Sequence, residues 1–464
     1  METRTEKDSL GERQIPAGAY YGIQTLRAAE NFPISGLTAK KSYVDATVHI
    51  KRAAAIVNHK LGLLDQKRAD AIVKAADEVL GGSFREWFVV DVFQAGAGTS
   101  HNMNVNEVIA NRAIELLGGS KGDYAVVHPN DHVNMAQSTN DVCPTAIRIA
   151  TLVEVQALLE KLEVLERRFL EKGNEFYSVI KSGRTHLMDA VPVRLGQEFS
   201  AYGVCLRKHG LAIRIASREC LELGIGGTAT GTGLNSHPKY RFEIVEELRR
   251  QLGLEFRMAD DYFEAMQSLR PMVSVSQSVR NLCQDLGRIA NDLRLMGSGP
   301  ATGLAEISLP GVQPGSSIMP GKVNPSIVEM VNMVCFQVVG CDTTVFLAAQ
   351  SGQLELNVMM PVVAYNLLHE IEILTNAIGA LSERCIAGIT AHPDRCRYYA
   401  ESSVSLATAL NPHIGYTRAA DVVKEAIQRG ASIREIVAEK KLLSEAQIER
   451  ILDLQAMTEP GIRR

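Results

Sequence analysis

The sequence has no C-x-x-C pair, no excess of basic residues, no internal repeat and no low-complexity stretch. Each absence excludes something. The cysteines stand at Cys143, Cys205, Cys220, Cys283, Cys335, Cys341, Cys385 and Cys396. Their spacing does not fit a structural zinc-type site, and several lie in apolar helical contexts. They read as reduced core residues of a cytosolic protein. Net charge is −4, with acids and bases mixed along the chain. That leaves no basic footprint for nucleic acid and no polybasic membrane patch. No apolar run reads as long enough to span a bilayer. The first stretch, METRTEKDSLGERQ, lacks the apolar core of a signal peptide. The expectation is a cytoplasmic protein with neither membrane nor nucleic-acid partners. Strand signals are few.

What is present is helical periodicity. With 464 residues, 46% hydrophobic and 22% charged, two or three globular domains fit. Residues 1–138 are mixed and mostly helical: PAGAYYGIQT and ENFPISG carry turn signals, and LDQKRADAIVKAADEVLGG predicts a helix stopped at Gly81-Gly82. Residues 139–390 change character. Leu152, Val155, Leu159, Leu162, Leu165 and Phe169 make one stripe on a helix running to about Lys172. Long helical segments follow near 195–222, 263–297, 325–350 and 355–388, with short connections, which predicts an up-down bundle. The segment 325–350 is apolar on nearly every face, interrupted by Asn332, Gln337 and Asp342. A helix of that kind is buried on all sides, and one small bundle cannot surround its own members so fully. Oligomerisation through the bundle follows. Residues 391–464 read as a small C-terminal helical domain. The expected fold class is mainly α, three domains around a central long-helix bundle.

Four stretches concentrate polar side chains ahead of predicted helices. GSSIMPGKVNP carries Ser316, Ser317, Lys322 and Asn324, with Asn324-Pro325 at cap spacing. It is not a phosphate-binding P-loop: the span from Gly315 to Gly321 is one residue too long, and Val323 follows the lysine where a hydroxyl is required. GAGTSHNMNVNEVIANRA carries Thr99, Ser100 and Asn102, with Asn104 and Glu107 at capping-box spacing. QSTNDVCPTAIRIA carries Ser138, Thr139 and Asn140. SGRTHLMDAVPVRLGQEF carries Thr185 and His186 before another helix. Any one of these reads as ordinary capping, but all four are richer than a cap requires. If they converge, they offer neutral donors, one lysine, one histidine and several helix N-termini, with no acid and no metal cluster. Such a site suits a small dicarboxylate whose carboxylate becomes an enediolate when the adjacent carbon loses a proton. The base is then either Ser316 or His186; in the second case the serines are ordinary anion ligands. GIGGTATG, residues 224–231, lacks the strand–helix context of a dinucleotide turn and reads as a loop of close backbone approach.

These stretches, together with DSLGERQIPAGAYYGIQT, ENFPISG, HPNDHVNMAQSTNDVCPTA, GGTATGTGLN, ANDLRLMGSGP and GQLELNVMMP, resemble the aspartase/fumarase superfamily along nearly the whole chain. Thr99-Ser100 and Ser138-Thr139-Asn140 resemble the aspartase branch more than the class II fumarases, the nearest rivals. The resemblance implies a homotetramer whose central helices form one twenty-helix bundle, with each active site drawn from three subunits. It implies reversible anti-elimination of ammonia from L-aspartate to fumarate, without an organic cofactor. By position, Ser316 matches the loop serine that abstracts the Cβ proton. Thr99, Ser138, Thr139 and Ser317 match the residues that hold the β-carboxylate and its enediolate, and Ser100 is taken as a substrate-binding residue beside Thr99. Thr185, Lys322 and Asn324 match the α-carboxylate ligands, and Asn140 and His186 match residues near the amino group. The resemblance thus favours Ser316 as base. Three features depart from the aspartase forms: Met360 where Glu is common, His101 where a small residue is common, and His128-Pro129-Asn130-Asp131, a form common in fumarases.

Overall fold

The computed structural model describes residues 2–462. The chain is mainly α, 62% helix. In order, the elements are β1 (Thr3–Asp8), β2 (Gly11–Pro16), α1 (Ile23–Asn31), α2 (Lys41–Lys60), α3 (Gln66–Leu80), α4 (Thr99–Leu116) and α5 (Thr139–Glu175). Then come β3 (Ile180–Thr185), β4 (Met188–Arg194), α6 (Leu195–Ser217), α7 (Tyr240–Leu252), α8 (Tyr262–Gln267) and α9 (Arg270–Met296). They are followed by α10 (Ser326–Ala349), α11 (Met360–Arg384) and α12 (Pro393–Ser402), with short helices to the end. The strand content is confined to two-stranded pairings.

The chain divides into two compact units. The first comprises Met1–Glu160, Leu211–Cys283 and Cys335–Thr375; the second comprises Lys161–Gly210, Gln284–Val334 and Asn376–Arg464. The five long helices α5, α6, α9, α10 and α11 each contribute residues to both.

In the first unit, α2, α3 and α4 share a core that includes Val44, Val48, Ile72, Val79, Val105 and Ile109. Full burial of each such side chain stabilises by about 1.5–3 kcal/mol. Helix α3 starts where Asp65 accepts the N–H of Arg68, and ends at Gly81 as its sequence predicts. Between α9 and α10, Asp342 accepts the Ser276 hydroxyl at 2.9 Å and Arg280 Nη1 at 2.8 Å.

In the second unit, β3 and β4 form an antiparallel hairpin. Phe169 of α5 packs against Phe199 and Tyr202 of α6. The two backbones come close there: a Cβ on Gly196 would lie 2.2 Å from the Gly173 carbonyl oxygen. The C-terminal helices close a core of their own around Leu410, Val422, Ile436, Val437 and Ile451.

Contrary to the expectation from sequence, two helices are long and apolar enough by composition to span a bilayer, α5 and α10. In α5 the apolar window is 72% buried within the fold, so these residues are core. In α10 it is only 39% buried. Met333, Phe336, Val339, Phe346 and Leu347 stand exposed, Phe336 at 73%. The all-round apolar helix inferred from the sequence therefore keeps an uncovered apolar face in a single chain.

Candidate active site

The candidate residues fall into two sets, one in each unit. In the first unit Thr99, Ser100, Asn102, Thr139 and Asn140 lie within the first turns of α4 and α5, not ahead of them as the sequence suggested, while Ser138 immediately precedes α5. Ala97 at φ 60° and Gly98 at φ 87° turn the chain into α4. Thr99 is exposed at the helix start; Ser100 and Asn102 are buried behind it. The capping box expected from Asn104 and Glu107 does not form. Asn104 lies inside α4 and accepts the N–H of Val89. Glu107 instead accepts the N–H groups of Gly22, Gln24 and Thr25, capping α1 from a distant part of the chain. A long-range partner with several free helix-end donors satisfies more groups than a local box.

Asn102 Nδ2 lies 3.3 Å from Thr139 Oγ1, which joins the two helix starts. Asn140 Nδ2 donates to the Ala229 carbonyl oxygen at 2.7 Å. Beside it, Asp141 is fully buried and accepts from Ser138 N at 2.9 Å, Gly226 N at 3.0 Å and Thr228 N at 2.9 Å. Burial pushes the Asp141 carboxyl up to about 6, against the pull of those N–H groups. This one side chain ties the Gly-rich loop at 224–231 to the start of α5. The loop does make close backbone approaches: a Cβ on Gly227 would lie 2.3 Å from the sulfur of Met266.

A cavity of ≈ 420 Å³ opens between these elements, lined by Asn102, Asn130, Gln137, Ser138, Thr139 and Thr228 among others, with no charged side chain on its wall. Behind it lies Lys51, which the sequence reading missed. Its Nζ donates to Asn102 Oδ1 at 2.7 Å, Asn134 Oδ1 at 2.8 Å and Gln137 Oε1 at 2.9 Å. With the carbonyl oxygens turned to Lys51, the amide N–H groups face away from it. Burial pushes the Lys51 ammonium down to about 7. The signal was available: Lys51 falls in the apolar stripe of α2 with Val44, Val48 and Ala55.

His101 takes no part in this cavity. It is buried, stacked on Tyr43 with ring centroids 4.2 Å apart, and its Nε2 is 2.9 Å from Thr47 Oγ1. Burial pushes its imidazole down to about 3. Met360 is likewise fully buried, at the start of α11.

In the second unit, Thr185 and His186 were expected before a helix. The structure puts them at the tip of the β3–β4 hairpin, because Ile180–Thr185 and Met188–Arg194 pair as strands. His186 and Leu187 both adopt left-handed backbone, φ 56° and 61°, as a two-residue hairpin turn requires. The tip is exposed, with Leu187 and Met188 uncovered.

Ser316, Ser317, Lys322 and Asn324 share one loop before α10. Its base is clamped: Gly315 N donates to the Lys322 carbonyl oxygen at 2.9 Å, and Asn324 Nδ2 donates to that of Gly315 at 2.6 Å. Asn324 is thus engaged with the loop, and Gly315 is pinned at its base. Within the loop, Ser316 Oγ accepts the N–H of Ile318 at 3.2 Å and of Met319 at 2.8 Å. Two donors aimed at one hydroxyl oxygen favour its anionic form. Ser317 and Lys322 are exposed.

Comparison with known proteins gives the family. A family model described as "Lyase" matches residues 11–340, and one described as "Fumarase C C-terminus" matches 406–459. Aspartate ammonia-lyase of Bacillus subtilis is 50% identical over 461 residues, 99% of this chain and 97% of that protein. Fumarate hydratase class II of Halobacterium salinarum is 50% identical over 460 residues, 99% of this chain and 98% of that protein. The solved structure of fumarate lyase:delta crystallin from Brucella melitensis bound to cobalt superposes with TM-score 0.96 at 49% identity, covering 99% of this chain and 100% of that one. A family model over most of the chain and half-identical relatives along its whole length make this chain a member of the aspartase/fumarase lyase family.

Proposed function

We propose that the protein is a carbon–nitrogen lyase that eliminates ammonia reversibly from L-aspartate to give fumarate. The observation that carries this reading is Ser138-Thr139-Asn140 at the start of α5, with Ser138 and Thr139 bordering an uncharged cavity, in a chain 50% identical to a protein named aspartate ammonia-lyase. Neutral donors and the positive ends of α4 and α5 suit a carboxylate. Thr99, Ser138, Thr139 and Ser317 hold the β-carboxylate of aspartate, with Ser100 beside Thr99 in the substrate site. Thr185, Lys322 and Asn324 hold the α-carboxylate, with Asn140 and His186 near the amino group. Ser316, as alkoxide, takes the Cβ proton. The C–H electron pair moves into the β-carboxylate as an enediolate. It then returns to form the double bond while the Cα–N pair leaves with ammonia from the opposite face. The proton on Ser316 passes to solvent, where ammonia becomes ammonium. Each donor placed on the enediolate lowers the barrier by roughly 3–4 kcal/mol.

Three further readings belong to this proposal. The exposed apolar face of α10 and the uncovered hairpin tip support a homotetramer in which neighbouring chains complete each site. The separate cores around Ile72 and around Ile436 support a division into domains at 1–138, 139–390 and 391–464. Eight free cysteines, of which seven are buried, support a reducing, cytoplasmic setting.

Reversible dehydration of malate to fumarate is the second reading. It is favoured by the 50% identity to a class II fumarate hydratase and by His128-Pro129-Asn130-Asp131. Fumarate absorbance with purified protein, offered L-aspartate and L-malate side by side, tests the two. Fumarate from aspartate alone is the expected result. Fumarate from malate alone overturns the proposal.

A further inference from the structure

Outside the candidate active site, three metal-ligating side chains meet on the second unit. Cys205 and His209 are four residues apart on α6, so they project from one face, one turn above the other. Asp285 reaches them from α9, 76 residues further along the chain. One ligand atom from each lies within 4.8 Å of the other two, and His209 Nε2 is 2.8 Å from Asp285 Oδ2. All three residues are partly exposed, so an ion has access. Cys205 is the one cysteine of eight that is not buried. The lyase chemistry uses none of the three.

We propose that Cys205, His209 and Asp285 bind a divalent cation of the zinc or cobalt class, which cross-links α6 to α9. The donor set argues the metal. Thiolate and imidazole select borderline ions, whereas magnesium and calcium take oxygen ligands. One thiolate and one carboxylate neutralise the two positive charges. Three protein donors with water in the fourth position make a tetrahedral site open to solvent. Metal–ligand bonds of about 2.0–2.3 Å put tetrahedral donors roughly 3.3–3.8 Å apart. The His209–Asp285 contact therefore opens by about half an ångström, and the widest donor separation closes by up to about one, both within rotamer adjustment. Arg288 Nε, 3.3 Å from Asp285 Oδ1, holds the carboxylate with its other oxygen toward His209. On binding, the Cys205 Sγ–H bond breaks, its proton goes to solvent and the sulfur bonds the metal; no electron is transferred. The cysteine spacing spoke against a structural metal site, because it carries no information about a histidine one turn away and a carboxylate on another helix.

The test is titration of the full-length, reduced, metal-stripped protein with cobalt(II). The expected result is one equivalent per chain, with visible bands of tetrahedral cobalt and a near-ultraviolet thiolate charge-transfer band, displaced by zinc. Cys205→Ser, checked for native circular dichroism, abolishes the charge-transfer band. His209→Ala weakens binding beyond the roughly 10–100-fold that outer-shell changes cost. As a second readout, zinc slows alkylation of Cys205 in the unaltered protein. Absence of equimolar binding overturns the proposal, and so does a cobalt spectrum unchanged in Cys205→Ser. Neither result bears on the aspartate reading, which fumarate formation tests separately.

Discussion

Replacing Ser316 by alanine separates a catalytic oxygen from a structural one. In the fold, Ser316 Oγ accepts two backbone N–H groups, at 2.8 and 3.2 Å, both on the exposed stretch of the loop. Once the oxygen is gone, water reaches the freed N–H groups of Ile318 and Met319. The lost interaction is then a local turn bond worth about 0.5–1 kcal/mol. The clamp at the base of the loop, through Gly315, Lys322 and Asn324, does not involve Ser316 Oγ and persists. For a chain of this size the melting temperature falls by no more than about 2–3 °C. Loss of a general base costs roughly 10²–10⁴ in rate. At 1.36 kcal/mol per tenfold, that is about 3–5 kcal/mol of barrier. The catalytic cost exceeds the structural one several times over. Turnover of L-aspartate, followed as fumarate absorbance, is expected to collapse in kcat with KM little changed, because the carboxylate ligands remain. Scanning fluorimetry on the same sample reports the small thermal shift. A kcat within about tenfold of the unaltered protein refutes Ser316 as base and moves the role to His186. A loss of activity that merely follows unfolding refutes the separation.

Three other outcomes are expected. Lys51→Met leaves Asn102 Oδ1 and Gln137 Oε1 without their donor, at about 1–3 kcal/mol each, but removes a buried ammonium. Denaturant unfolding therefore shifts by less than about 3 kcal/mol, while kcat/KM for aspartate falls at least about tenfold as the Asn102 amide turns; unchanged kcat/KM counts against the positioning role. His101 is neutral when folded and takes a proton on unfolding below about pH 6.5, since burial lowers its folded pKa to about 3. The unfolded state binds more protons in that window, so stability falls as pH drops from 6.5 toward 3, by up to roughly 4–5 kcal/mol. His101→Phe keeps a ring against Tyr43 and flattens this acid limb; an identical pH profile of unfolding shows that His101 does not cause it. Phe336→Asp puts a charge on the exposed face of α10. Light scattering then reports dissociation of the oligomer with helical circular dichroism retained, and an unchanged mass excludes that face from the interface.

Helices were legible where period and punctuation act locally. The stripe from Val155 to Phe169 is buried in α5, and α3 ends at Gly81-Gly82, where Gly82 takes the positive φ of 103° that glycine adopts without steric cost. The polar stretches that mark the candidate site were legible for the same reason, as runs too rich in donors for caps alone. Their geometry was not. Thr185 and His186 sit on a hairpin because β3 found β4, a pairing that the polar tip does not announce. Glu107, read as a local cap, reaches a helix end more than eighty residues away.

The sequence by itself determined the family and the helical class, because these follow from identity and local spacing. Only the tertiary structure decided that Lys51 turns three amides toward itself behind the cavity, and that Asp141 ties the Gly-rich loop to α5. It alone withdrew His101 into the core and joined Cys205, His209 and Asp285 from two helices. The physical reason is common to the first three. A buried polar group must find a partner, and the partner is chosen by proximity in space, which distance along the chain does not encode.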